Sequence, residues 1–203
     1  MIHECLIDSS LNRLSAQFDR LVVVRPPATA AELAELEGMV GTLPRDLTIF
    51  LSTCNGLRVD LSATASDQHI CCIHEIERML DTTANPAAWV GVIPLRGLPE
   101  TAMDWLVVQR GPAYGRVIHW HPWSCGASVL ASGFGPYFSA WVDYLISHFD
   151  ARGRPRSKAR LVRFDASLVA KTDEALPGLQ ADEELQRWLR DLDLVVPSGA
   201  DFE

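Results

Sequence analysis

The sequence predicts an α+β domain, with helices packed on a largely antiparallel sheet and a C-terminal extension. Three features point there. Apolar residues recur at helical spacing before residue 56 and again near residue 140, strand-like runs separated by turn residues occupy the middle, and a short amphipathic segment follows residue 160. Residues 1–150 are expected to form the domain, and 151–203 a basic connector and an acidic extension packed on it.

The best specified element is Leu43 to Gly56. Pro44 suits a first helical position, Asp46 lies near the positive end of the helix dipole, and Leu47, Phe50, Leu51 and Cys54 share one face. Asn55-Gly56 then supplies a stop. Just before it, Thr29 and Glu32 form a capping box, Leu33, Leu36 and Val40 a stripe, and Gly41 an end, so the two segments read as a helix hairpin.

The remaining elements follow in order. Leu6, Ile7, Leu11, Leu14 and Phe18 predict a first helix over 4–20, and Leu21 to Val24 extends it or forms a short strand. Leu57–Leu61 and Ile70–Ile73 read as strands and His74–Leu80 as a short helix. Gly91–Leu95, Asp104–Arg110, Arg116–His121 and Ala127–Ala131 read as a meander. In the third of these, Ile118 and Trp120 are expected to face the helices, with Val117, His119 and His121 on the other side. Phe138, Trp141, Val142, Leu145 and Phe149 form a further helical stripe. Both faces of Asp104–Arg110 hold apolar residues, so a second layer is expected, supplied by the tail with its Ala181–Arg190 helix.

Composition narrows the function classes. The 203 residues carry a formal charge of −8, which disfavours a nucleic-acid binder, since phosphates call for a basic surface. That charge is uneven: nine basic and 16 acidic side chains fall in 1–150, six basic and no acidic in 151–163, and three basic and ten acidic in 164–203. The basic block reads as a solvated connector, broken by Gly153 and Pro155. No apolar run approaches the roughly 20 residues of a membrane span, and the first residues lack the pattern of a signal peptide. Cys5, Cys54, Cys71, Cys72 and Cys125 form no disulfide framework. A cytoplasmic protein with free thiols is the expectation, a monomer or weak dimer with neither nucleic acid nor membrane as partner.

Several of these stretches together resemble the SUKH superfamily, the fold shared by fungal cell-wall-assembly regulators and many bacterial toxin-immunity proteins. The resemblance lies in Leu36-Glu37 of an acidic helix, Leu43-Pro44, Phe50-Leu51 and Asn55-Gly56. It continues through Ile93-Pro94-Leu95, Arg116 to Trp120, and Ser132-Gly-Phe134 through Phe138 and Leu145, covering roughly residues 26–150. It implies a non-enzymatic role, in which an immunity protein binds and neutralises a polymorphic toxin, often a nuclease. A basic toxin would be drawn to an acidic surface. A regulatory scaffold with an endogenous partner is the first alternative, an uncharacterised metal-dependent or hydrolytic enzyme the second. The tail lies beyond the resemblance.

For an interface, the sequence offers acidic and aromatic groups in loops and at strand ends: Asp60, Asp67, Trp89, Glu100, Asp104, Tyr114 and Trp123. Trp105, Trp120, Trp141 and Trp188 fit core positions. For chemistry it offers less. His119 and His121 share a strand face with Cys125 nearby, and His69, Cys71, Cys72 and His74 cluster, but no C-x-x-C or H-E-x-x-H spacing appears. A solvated histidine pair on an edge strand is the simpler account, so no metal and no cofactor are expected. Ser124-Cys125-Gly126 and Ser132 to Gly135 form neither a nucleophile elbow nor a phosphate loop, so no catalytic residue is expected.

Overall fold

The computed structural model describes residues 2–61, 69–81, 91–96, 103–121, 126–156 and 164–191. Along the chain run α1 (Ile2–Phe18), a 3₁₀ turn, β1 (Val22–Val24), α2 (Ala30–Val40), α3 (Arg45–Thr53), β2 (Leu57–Val59), β3 (His69–Ile70) and α4 (Ile73–Asp81). Then come β4 (Val92–Arg96), β5 (Met103–Val107), β6 (Val117–His121), β7 (Gly126–Ala131), α5 (Phe134–His148), α6 (Ala166–Val169), α7 (Leu176–Ala181) and α8 (Glu183–Asp191). The class is α+β, as the periodicities require. The strands, however, form two antiparallel sheets, of order β1-β2-β3 and β4-β5-β6-β7.

Local signals account for the helix ends. Thr29 Oγ accepts the Glu32 N–H while Glu32 Oε2 accepts the Thr29 N–H at 2.7 Å, and Gly41 closes α2 with φ +97°. Pro44 sits one place before α3 as its N-cap, and the helix stops at Thr53. Asn55-Gly56 serves a different partner than the helix before it. Asn55 Oδ1 accepts the Ile73 N–H at 2.8 Å, capping α4, and a Cβ on Gly56, at φ +84°, would lie 2.7 Å from the Cys72 nitrogen.

The expected hairpin of α2 with α3 gives way to a different packing: α2 lies chiefly on α4, and α3 on α1 and α5. The stripe of α3 is the reason. Phe50 meets Phe134 and Phe138 of α5 at ring separations of 4.9 and 5.1 Å, and Ile7, Leu14 and Phe18 of α1 complete that layer. Trp141 is fully buried and stacks on Phe138; Trp105 is also in the core.

Both faces of β5 are covered. Trp105, Leu106, Val107 and Val108 are all buried, and helices α6, α7 and α8 pack on β7. The tail is stapled by Asp173, 4% exposed, whose carboxylate accepts the Ser132 N–H at 2.6 Å and the Ser132 hydroxyl at 2.8 Å. Of the basic connector, Asp150 Oδ1 accepts the Arg152 and Arg154 N–H groups, and Arg156 Nε donates to the Phe149 and Ile146 carbonyls at the end of α5. Trp188 is partly buried, near the Gly111 turn.

Candidate functional site

Two polar clusters stand out, and both begin from strand register. In the first sheet's neighbour, β4 is an edge strand, where Pro94 is tolerated. The register shifts between Pro94, opposite Trp105, and Arg96, opposite Asp104. The extra residue re-aims the Arg96 side chain at the Asp104 carboxylate, which an unbroken ladder would have set against Leu95.

Asp104 is the centre of this cluster. Arg96 donates to its Oδ2 through Nε at 3.0 Å and Nη2 at 2.8 Å, Tyr137 Oη of α5 donates to the same oxygen at 2.7 Å, and His119 Nδ1 lies 2.5 Å from Oδ1. The Arg96 guanidinium sits 5.0 Å from the Phe164 ring centroid. Burial by itself would raise the Asp104 carboxyl, but Arg96, His119 and Tyr137 together outweigh it and hold it below the usual aspartate value. Burial and the Asp104 charge, in turn, push the Tyr137 phenol well up despite Arg96.

This corrects two expectations. Asp104 is 2% exposed, so it does not belong to an acidic edge: Arg96, His119 and Tyr137 meet its charge inside. The His119 face of β6, expected to point away from the helices, meets Asp104 and through it α5; β6 is an internal strand, and the His119 side chain is mostly buried. The His121 side chain and Cys125 lie outside the described residues.

The second cluster lies where β3 runs into α4. His69 Nε2 and Cys71 Sγ are 3.9 Å apart, and one ligand atom each from His69, Cys71 and Glu75 all fall within 4.8 Å of one another. Glu75 is oriented from two sides: its Oε2 accepts the Cys72 N–H at 3.0 Å, and Arg25 Nη2 donates to Oε1 at 3.0 Å. Cys71 is anchored by its own N–H to the Leu95 carbonyl, beside Arg96. Burial lowers the His69 imidazole against the pull of Glu75, and burial raises the Cys71 thiol. Of the four residues that the sequence groups here, His74 is exposed and Cys72 does not join; Glu75, which no motif marked, does. A signal existed: Glu75 is four residues after Cys71, one turn into a helix whose start turns it back toward β3.

The remaining interface candidates scatter. Asp60 is exposed and paired with Arg58 Nε at 2.7 Å, and Tyr114 is half-buried with its hydroxyl donating to the Thr42 carbonyl at 3.4 Å. Asp67, Trp89, Glu100 and Trp123 lie outside the described residues. Cys54, Cys71 and Cys72 are free and buried, and burial pushes the Cys54 thiol up to about 12. Compared with known proteins, the chain matches no family model, and no curated protein matches it in sequence.

Proposed function

We propose that this chain is a non-enzymatic binding domain of SUKH type, an immunity protein that binds and blocks a basic protein toxin. The observation that carries the reading is the surface of α2 and of β1, the strand that precedes it in the chain. Glu32, Glu35 and Glu37 are exposed on α2, and no basic residue occurs between Pro26 and Pro44. Among the described residues, the exposed large apolar side chains are Val23, Val24 and Met39, on β1 and the last turn of α2. β1 is an edge of its sheet. An acidic helix attracts a basic partner at long range, and exposed apolar side chains offer it something to desolvate. Among the described residues, no helix is long and apolar enough to cross a membrane.

The test is recovery of partners with the tagged chain from its source cells, followed by kinetics with the partner found. One basic, toxin-like protein at near-equal stoichiometry supports the reading. Glu35→Lys should then slow association several-fold and weaken its salt dependence, leaving the fold intact. An endogenous, non-toxin partner would favour a regulatory scaffold instead.

A further inference from the structure

Beyond any partner binding, the turn from β3 into α4 carries the features of a metal centre. We propose that His69, Cys71 and Glu75 together bind one divalent transition-metal ion of the zinc type, as three protein ligands with a fourth position left to solvent. The donor set is one imidazole nitrogen, one thiolate and one carboxylate, which is chemistry that zinc accepts and magnesium or calcium does not favour. Tetrahedral zinc with its usual bond lengths holds neighbouring ligand atoms roughly 3.3–3.7 Å apart. The 3.9 Å between His69 Nε2 and Cys71 Sγ is already close to that, and the third atom needs to close in by about an ångström from a spread of at most 4.8 Å.

The surroundings fit as well. Glu75 receives hydrogen bonds from the Cys72 N–H and Arg25, and a carboxylate has lone pairs left for a metal after accepting two. Such outer partners are what keep a metal-binding carboxylate pointed inward. His69 and Glu75 are half-buried while Cys71 is buried, so the cluster keeps partial access to solvent. Binding exchanges a proton for the ion: the Cys71 S–H bond breaks, its proton leaves to water, and a sulfur–metal bond forms. With both anionic ligands in place, the ion's two positive charges are neutralised, which offsets the repulsion from Arg25, Arg58 and Arg96 nearby. The ion would tie β3 to the first turn of α4.

The experiment is titration of the full chain, stripped by chelator, with cobalt(II) alone and then zinc(II) in competition at neutral pH. One equivalent of cobalt should produce the near-ultraviolet sulfur-to-metal charge-transfer band that only a thiolate ligand gives, and zinc should abolish it. Cys71→Ser should lose the band, His69→Gln and Glu75→Gln should weaken cobalt binding about tenfold or more, and Cys54→Ser and Cys72→Ser should keep it. Absence of the band in the parent chain, or its persistence in Cys71→Ser, overturns the proposal. Should Cys71→Ser fail to fold, His69→Gln decides alone, because its half-buried ring can be replaced without opening the core: unchanged cobalt affinity there overturns it too.

Discussion

The Asp46 carboxylate on α3 accepts the backbone N–H of Gly135, in the first turn of α5, at 2.8 Å, although 89 residues separate them. Its other oxygen accepts the Leu47 N–H, and the side chain is only 8% exposed. Asp46 thus acts as a cap supplied from another helix, since Gly133 at the start of α5 has no side chain to do so. A Cβ on Gly133 would lie 3.0 Å from Asp46 Oδ2, so glycine also makes room for the approach. Asp46→Ala is expected to cost about 1–3 kcal/mol, read from urea denaturation.

The Asp104 cluster gives a pH dependence with a definite sign. The folded carboxyl titrates below its unfolded value of about 3.9, so its contribution is fully present above that pH and is lost as pH falls through the lower folded value. Stability measured from neutral pH to pH ~3 should fall less steeply in Asp104→Asn than in the parent. Asp104→Ala, which removes the carboxylate that accepts two Arg96 hydrogen bonds in the core, should cost about 3–5 kcal/mol, and Tyr137→Phe about 1–2 kcal/mol.

Two glycines should respond in opposite directions to the same change. Gly56→Ala places a Cβ 2.7 Å from the Cys72 backbone nitrogen at a positive φ, and should cost about 2 kcal/mol or more. Gly38→Ala, on the exposed side of α2 with nothing within 4 Å, should raise stability by about 0.5–1 kcal/mol. Thermal denaturation of the two variants side by side checks both signs.

The staple between Asp173 and Ser132 ties the tail to the end of β7. Asp173→Ala leaves two donors of Ser132 without their acceptor and should free α6, α7 and α8 before the rest unfolds. Hydrogen exchange should then rise over residues 166–191 while the amides of α5 stay protected. Uniform exchange across the chain would show that the tail and the sheet open together.

How much of this was legible in the residues differs from element to element. The capping box of Thr29 and Glu32, the stripe of α3 and the Gly41 terminus were readable because each is set by side chains within one or two turns of one another. The α+β class was readable from the change of period along the chain. The amino-acid sequence by itself therefore determined the α+β class and the strongly patterned helices and strands, but not α6 and α7, nor whether Leu21 to Val24 is helix or strand.

Tertiary structure decided the rest, since every remaining feature depends on contacts between distant segments. Asp104 looked like a surface carboxylate until the bulge before Arg96, the cross-strand His119 and Tyr137 from α5 surrounded it. Asn55-Gly56 looked like a helix stop until it met the start of α4. Glu75 joined His69 and Cys71 only because the first turn of α4 folds back on β3. A short-range pattern reports backbone conformation, but burial and charge pairing depend on which neighbours the completed fold brings, and no local window contains them.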